Sequence, residues 1–425
     1  MTVKEKIESS VAQEIIESLR SGIPPKRYAS MYSAGQDEFV RDVRVRHLEG
    51  ASTRGKIRFI SGSWGSGKTH FLRLLREEAF DANCLVSSVD LTVNETPFNK
   101  FEEVFYRIVE KIGSPQMYRR GELDKHAAPF ELVLRETLFG NWAGALDAVP
   151  QERFQEAKEK LFSADGIDID FRRMVSRYWE TFLPQGGDAA ALEDVRGKIL
   201  QWFKGEGTIG PYRSQFGVQK IVNRANARLM LQSLSRFAKH AGFRGIVILL
   251  DEAEMSYSIM RKSNLKQAHN NLLHLINSID ESEGLFLVYA ATPDFFVDDR
   301  YGLSTYGALA QRIGRPEERS PKAVDRVWNM DAVQTCLEHY QTAACRIREI
   351  FLAANPGVGS KFITEVALKK FVSEIVQAHP EFSHVSTWRV VITATVEALD
   401  ASERGEGLGS AQEVHADIMD RLREN

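Results

Sequence analysis

Two kinds of apolar pattern alternate along the chain, and they predict two kinds of element. Residues 245–250 and 285–291 are apolar throughout, which is typical of strands buried on both faces of a sheet. Two further strands are predicted at 56–60 and 84–91. Apolar residues at helical spacing predict the connecting helices, residues 68–79, 98–112, 218–239 and 264–281. Strands that alternate with helices predict an α/β fold built on a parallel sheet.

Helical spacing also dominates the two ends of the chain and its middle. The helices predicted there are residues 4–20, 35–50, 129–138, 152–162, 170–182, 331–353, 361–377, 387–400 and 411–423, with a glycine-rich loop at 205–211. The chain therefore divides into four predicted parts. These are an N-terminal helical segment (1–50), an α/β core (51–112 and 226–330), a helical insertion (113–225) and a C-terminal helical region (331–425).

A glycine-rich motif follows the first predicted strand and opens the next helix. It reads Gly62, Ser63, Trp64, Gly65, Ser66, Gly67, Lys68 and Thr69, and we include His70 in the binding segment. The motif matches G-x-x-x-x-G-K-[ST], the loop whose backbone N–H groups surround phosphates. Glycines permit the required left-handed backbone, and the following helix adds its positive N-terminal end. We therefore expect ATP and Mg²⁺ here, with Lys68 at the β- and γ-phosphates and Thr69 on the metal.

An acidic pair follows the most apolar predicted strand. Asp251 and Glu252 come directly after residues 245–250, at the carboxyl end of the strand, where ligands bind in open parallel sheets. We expect Asp251 to hold the Mg²⁺ shell and Glu252 to orient or deprotonate the attacking water. A solvated acidic turn after a buried strand is the structural alternative.

A polar residue also ends the strand at 285–291. Thr292 stands where a sensor of the γ-phosphate is expected, and Pro293 follows it. The same pair is typical of a helix that begins with a capping threonine and a proline, so Thr292 can serve either purpose or both.

Composition narrows the class of protein. The 425 residues are 43% hydrophobic and 27% charged, with a formal net charge of -3, so no overall basic character indicates nucleic acid. The three cysteines lack metal-ligand spacing and predict reduced thiols, as in a cytoplasmic protein. We expect no membrane span, because no run of about 18 apolar residues is present.

The order of these features resembles that of the AAA+ and STAND ATPases. The resemblance implies a three-layer P-loop core followed by a helical lid, in which an arginine senses the nucleotide. Arg389 is the candidate, and an exposed structural arginine is the alternative. The resemblance also implies an arginine finger that reaches a neighbouring subunit, and hence a homo-oligomer. Among Arg312, Arg315 and Arg319, we rank Arg312 first.

Further segments resemble a narrower family, the ATP-binding proteins of bacterial BREX phage-exclusion systems. They are the sequences SGIPP at 21–25, GQ at 35–36, GSWGSGKTHFL at 62–72, WFKGE at 202–206 and GFRG at 242–245, which leads into LLDEAE. The resemblance implies a role in antiviral defence with other proteins of the system, and engagement of DNA is an open question. We expect an ATPase. A non-hydrolysing ATP-dependent scaffold and a DNA-loading or translocating ATPase are the alternatives.

Two segments have less specific patterns. The insertion interleaves basic and aromatic residues, namely Arg119, Arg120, Arg135, Arg153, Arg172, Arg173 and Arg177 with Tyr118, Phe171, Tyr178 and Trp179. Such a pattern can contact nucleic acid or a partner, but an ordinary helical subdomain is favoured, because acidic residues are also frequent there. Residues 23–32 are the candidate cover for the adenine base, as the AAA+ resemblance implies.

Overall fold

The computed structural model describes most of the chain. It describes residues 7–424 apart from 50–53, 93–95, 124, 126–127, 140–147, 185–187, 254–259, 359–361 and 381–384. Residues 4–6 of the first predicted helix lie outside the described residues.

A six-stranded sheet forms the centre of the described structure. Its strands are β1 (Lys56–Ser61), β2 (Leu85–Asp90), β3 (Ile112–Gly113), β4 (Ile246–Asp251), β5 (Leu285–Ala291) and β6 (Val327–Asn329). Their order across the sheet is β3-β2-β4-β5-β1-β6. All neighbours are parallel except β3, which pairs antiparallel with β2 at one edge. The predicted α/β class is confirmed, with a sheet that is mixed but mostly parallel.

Helices cover the sheet and extend beyond it. Up to the fourth strand they are α1 (Ser9–Arg20), α2 (Asp37–Val43), α3 (Lys68–Asp81), α4 (Phe101–Lys111), α5 (Pro115–Arg120), α6 (Pro129–Phe139), α7 (Gln151–Ser163), α8 (Ile169–Glu180), α9 (Ala189–Phe203), α10 (Ile209–Phe216) and α11 (Ala227–His240). The later ones are α12 (Lys262–Ser278), α13 (Pro293–Val297), α14 (Gly307–Ile313), α15 (Leu337–Ala354), α16 (Glu365–Ala378), α17 (Thr387–Glu403) and α18 (Ala411–Glu424). A π-helical turn, Arg44–Glu49, continues α2.

The apolar pattern explains the centre of the sheet. Every residue of β4 and β5 is buried, as their continuous apolar runs require. Because β1 and β4 both flank β5 in parallel, their carboxyl ends lie on one edge of the sheet. The phosphate-loop motif after β1 and the acidic pair at the end of β4 therefore open onto the same side.

The first helix packs on the C-terminal helices. Helix α1 lies against α15 and α17, although more than 300 residues separate them in sequence. The Arg20 guanidinium donates to both carboxylate oxygens of Asp400 in α17, at 2.9 and 2.7 Å. The Ser9 hydroxyl donates to the Ala354 carbonyl at the end of α15. Helices from the two ends of the chain thus form one layer.

Side-chain hydrogen bonds explain where the predicted helix bounds are wrong. The helix expected from 218 begins at Ala227, because the Asp170 carboxylate accepts from the Gln219 and Lys220 N–H groups and holds that stretch outside a helix. The loop predicted at 205–211 ends before Ile209, where α10 begins. Pro211 lies in the first turn of this helix, where a proline is tolerated. Strands β3 and β6 were too short to be predicted.

Most of the insertion arginines are engaged within the fold. Arg153, Arg172 and Arg173 donate to backbone carbonyls, and Arg177 pairs with Glu180 at 2.7 Å. The aromatic residues are buried, namely Tyr118, Phe171, Tyr178 and Trp179. These contacts favour the interpretation as a helical subdomain. Within the described part of the chain, no helix is both long enough and apolar enough to span a membrane.

Candidate functional site

The glycine-rich motif forms a tight turn between β1 and α3. Gly65 and Gly67 have φ values of 78° and 92°, in the left-handed region that favours glycine. Gly62 has no room for a side chain, because a Cβ there would lie 2.3 Å from Ser66 Oγ. Helix α3 then begins at Lys68, so its N-terminus faces the turn. The motif thus has the shape of an anion-binding loop.

Lys68 is buried at the base of this loop. Its ammonium donates to the Gly62 carbonyl at 2.7 Å and to the Ser63 carbonyl at 3.1 Å. It also lies 5.7 Å from the centre of the Trp64 ring, whose side chain is 62% exposed. A positive charge is therefore held inside the turn, next to exposed apolar surface.

The next residue joins the loop to the acidic strand. The Thr69 hydroxyl donates to Asp251 Oδ2 at 2.7 Å, which brings together two residues 182 positions apart in sequence. The Glu252 N–H donates to Asp251 Oδ1 at 2.9 Å, and the Glu252 side chain is exposed. Glu252 has a φ of 54°, an uncommon backbone state for a residue other than glycine. Such local strain is found most often at functional sites.

A second carboxylate lies beside Asp251. Asp90, the last residue of β2, is the direct partner of Asp251 in the parallel ladder. Although part of the side chain reaches solvent, partial burial raises the pKa of Asp90, and the negative charge of Asp251 raises it further. We did not predict Asp90 from the sequence, since its position depends on the pairing of β2 with β4.

A cavity of about 450 Å³ adjoins these residues. The loop, the ends of β4 and α3, the segment after α1, and helices α15 and α17 all contribute to its wall. Its lining residues are Leu19, Gly22, Ile23, Pro24, Tyr32, Ser33, Ala34, Gln36, Trp64, Gly65, Ser66, Gly67, Lys68, Thr69, His70, Arg73, Asp251, Glu252, Ala343, Trp388, Arg389, Ile392 and Thr393. The wall is charged near Lys68 and apolar near Ile23 and Ile392. A ligand with one anionic end and one flat apolar end matches this lining.

The structure places Arg389 and part of the segment 23–32 on this cavity. Arg389 lies in the first turn of α17, near the point where Ser386 approaches Gly65. Ile23, Pro24 and Tyr32 come from the segment expected to cover a base. Arg73, one helical turn after Thr69, lines the same cavity and was not predicted. The sequence signal for Arg73 was a basic residue one helical turn after Thr69 on the predicted helix.

His70 holds the segment after α1 in place. Its ring nitrogens are 3.1 Å from the Tyr32 hydroxyl and 3.1 Å from the Ser33 hydroxyl. Burial lowers the pKa of His70 to about 4, and the positive charge of Arg73 lowers it further. His70 is therefore neutral at physiological pH and acts as a hydrogen-bonding support for the cavity wall.

Thr292 and Arg312 do not line the cavity. Thr292 is buried one residue beyond β5, and its side chain makes no capping bond to α13, although it occupies the capping position. Arg312 is exposed near the end of α14, and its carbonyl accepts from Arg326, just before the edge strand β6. Arg315 is also exposed, while Arg319 pairs with Asp325 at 2.9 Å. The roles expected for Thr292 and Arg312 stay predictions.

The residues at the loop fit a nucleotide with its metal ion. The Ser66 hydroxyl is buried and has no hydrogen-bond partner among the described residues, so it is available to a phosphate oxygen. One hydroxyl and one carboxylate, from Thr69 and Asp251, suit Mg²⁺, which keeps several water ligands in proteins. No group of three or more His, Cys, Asp or Glu side chains arranged to hold a metal occurs among the described residues.

Comparison with known proteins gives the family. Neither a curated protein nor a solved structure matched the chain. The model of one family, described as BREX system ATP-binding protein BrxC/D, matches residues 7–417. That match includes the phosphate loop, the acidic strand and the helices on both sides of the cavity. The chain therefore belongs to the BrxC/D family of BREX system ATP-binding proteins.

Proposed function

We propose that the chain binds Mg²⁺-ATP in the cavity between the phosphate loop and the C-terminal helical region (331–425), which acts as a lid, and hydrolyses it. The observation that carries the proposal is the hydrogen bond of 2.7 Å between Thr69 and Asp251 beside the buried Lys68. This contact joins the two motifs expected for phosphate and metal. Membership of an ATP-binding family supports the same ligand.

Each residue of the site has a defined task in this proposal. The loop N–H groups, Ser66 and Lys68 bind the phosphates, and Thr69 and Asp251 hold the metal. Bound Mg²⁺ neutralises phosphate charge and orients the terminal phosphate. The triphosphate would lie in the charged part of the cavity, and the base would lie beside the apolar lining residues Ile23 and Ile392.

The reaction is an in-line displacement by water. Glu252 accepts a proton from the attacking water, whose oxygen forms the new bond to the terminal phosphorus. The bond to the bridging oxygen breaks, and ADP leaves with inorganic phosphate as the second product. In this proposal Arg389 senses the terminal phosphate from the lid. The sensor role expected for Thr292 stays a prediction, because Thr292 does not line the cavity.

We propose that nucleotide binding acts on the lid. Arg389 and Trp388 belong to the lid and line the same cavity as the loop, so a bound nucleotide contacts both. Closure of the lid would then change the surface offered to other proteins of a BREX system. Contact with DNA is left to the experiment, which compares turnover with and without duplex DNA.

The test measures ATP binding and ATP turnover for the unaltered chain and two variants, with and without duplex DNA. Lys68→Ala should weaken ATP binding roughly 100-fold, since it removes a buried charge-assisted partner. Glu252→Gln should keep binding while turnover falls about 10²-fold or more. Glu152→Gln, at an exposed position of α7, is the matched control and should behave like the unaltered chain.

Each result bears on one alternative. ATP binding without turnover in every condition would replace the ATPase by an ATP-dependent scaffold. Turnover that rises only with DNA would support a DNA-acting ATPase. Unchanged ATP binding in Lys68→Ala would contradict the proposed site itself.

A further inference from the structure

We propose that Asp331 is a positioning residue that holds the phosphate loop in its binding shape and connects the loop to the start of the lid. The inference rests on the function proposed above. Asp331 binds Ser63 through three hydrogen bonds. The Ser63 N–H donates to the two carboxylate oxygens at 3.0 and 2.9 Å, and the Ser63 hydroxyl donates to Oδ2 at 3.0 Å. Hydrogen bonds to a charged acceptor are stronger than neutral ones.

The peptide group between Gly62 and Ser63 is bound from two sides. Its N–H donates to Asp331, while its carbonyl accepts from the Lys68 ammonium at 2.7 Å. A triphosphate in the loop attracts the ammonium and competes with this carbonyl. Asp331 is then the contact that keeps the peptide group in place while Lys68 changes partners.

The position of Asp331 is set by its own surroundings. It lies in the short helix Met330–Ala332 directly after β6, and its N–H donates to the Asn329 side chain at 3.1 Å. Asn329 in turn donates to the Glu317 carbonyl at 2.7 Å. Met330 is buried, and a Cβ added to Gly62 would lie 3.1 Å from its Cβ. The segment therefore packs directly against the start of the loop.

The same segment leads into the lid. Residues 333–336 connect it to α15, the first lid helix. The lid meets the loop at a second point, since a Cβ on Gly65 would lie 2.9 Å from Ser386 Cβ, just before α17. The loop is thus in contact with the lid at Ser63, through Asp331, and at Gly65. A change in the loop has two direct routes to the lid.

Removing the Asp331 carboxylate distinguishes a positioning role from an electrostatic one. A carboxylate beside a phosphate loop repels a phosphate through space, so removing its charge alone should strengthen nucleotide binding. If the carboxylate positions the loop, removing it should weaken nucleotide binding instead. The two roles predict opposite signs for the same substitution.

The experiment compares the unaltered chain with Asp331→Ala, Asp331→Asn and the control Asp165→Ala, an exposed aspartate of the insertion. ATP affinity is measured with and without Mg²⁺, and hydrogen exchange of residues 386–392 is measured with and without ATP. We expect Asp331→Ala to weaken ATP binding roughly tenfold, as for the loss of one charge-assisted contact. We expect it also to remove the ATP-induced protection of residues 386–392, with Asp331→Asn intermediate in both measurements.

The outcomes are distinct. Asp331 variants that bind ATP as tightly as the unaltered chain, or more tightly, would overturn the inference while leaving the proposed function intact. Weaker binding with the protection of residues 386–392 unchanged would overturn the connection to the lid. Absence of ATP binding in the unaltered chain would overturn the proposed function and this inference together. A thermal unfolding curve for each variant separates loss of positioning from loss of the fold.

Discussion

Asp90 and Asp251 place two carboxylates at neighbouring positions on the edge of the sheet where the phosphate loop opens. They are partners in the β2–β4 ladder, and neighbouring strands lie roughly 5 Å apart. Paired residues of parallel strands project from the same face of the sheet. The raised pKa of Asp90 reflects partial burial and the charge of Asp251. A divalent cation on Asp251 would relieve this repulsion, so Asp90 belongs to the electrostatic surroundings of the proposed metal.

We predict that Asp90→Asn makes nucleotide binding less dependent on Mg²⁺. Removing one negative charge should leave ATP binding in EDTA unchanged or slightly tighter, because repulsion of the phosphates falls. The Mg²⁺ concentration for half-maximal stabilisation should rise roughly threefold to tenfold, since the metal loses a favourable neighbour. Thermal unfolding with ATP, titrated with Mg²⁺, measures both effects. Asp42→Asn, at an exposed position of α2, is the control, and an identical Mg²⁺ dependence for both variants would show that Asp90 is not involved.

Local sequence indicated three of the residues that the structure brings together at the loop. Lys68 and Thr69 follow from the spacing within one loop, and Asp251 follows from its place at the end of an apolar strand. Asp90 and Asp331 depend on strand order and on a three-residue strand, which no local pattern specifies. Local patterns therefore indicate Lys68, Thr69 and Asp251, whereas Asp90 and Asp331 become visible only in the structure.

At the scale of elements, α1 and the lid helices form one layer. Helix α1 presents Ile15, Ile16 and Leu19 as its buried face, and it packs on α15 and α17. The residues after α1 then run along the cavity wall. The packing of α1 on α15 and α17 therefore joins the segment that lines the cavity to the C-terminal helices.

We predict a measurable coupling between Arg20 and Asp400, which join α1 to α17. Their side chains are 38% and 17% exposed, so solvent screens the pair, and we expect a coupling free energy of about 0.5–1 kcal/mol. A double-mutant cycle with Arg20→Ala and Asp400→Ala in chemical unfolding measures it. The coupling free energy should fall at high salt.

The exposed pair Lys160 and Glu156, within α7, serves as control and should give a smaller coupling free energy. Equal coupling free energies for the two pairs would mean that the Arg20–Asp400 contact does not stabilise the packing of α1 on α17.

The bounds of elements were predictable where apolar spacing was strong and no side chain competed with the backbone. The bounds of β5 were predicted correctly, because its seven residues are all buried. The start of α11 was not, because the Asp170 carboxylate binds the backbone ahead of it. That contact spans about 50 residues, so local periodicity contains no sign of it.

At the scale of the whole molecule, the cavity is formed by segments from both ends of the chain and from the core. One chain supplies Lys68, Asp251, Glu252 and Arg389 to it. Arg312 lies elsewhere, exposed beside the edge strand β6. Because Arg312 does not line this cavity, the finger role expected for it would act on a phosphate bound by a second copy of the chain. The expected arginine finger therefore requires an oligomer in which the β6 edge of one subunit faces the cavity of the next.

We predict that two inactive variants restore each other when mixed. Arg312→Ala should lower turnover about 10³-fold or more, because a finger stabilises transition-state charge, and Glu252→Gln should lower it about 10²-fold or more. A mixed oligomer contains some interfaces in which an intact Glu252 faces an intact Arg312, so the mixture should regain part of the activity. Arg315→Ala, at a neighbouring exposed position, is the matched control and should retain turnover. Full activity of Arg312→Ala would exclude the finger, and a mixture that stays inactive would place Glu252 and Arg312 outside a shared site.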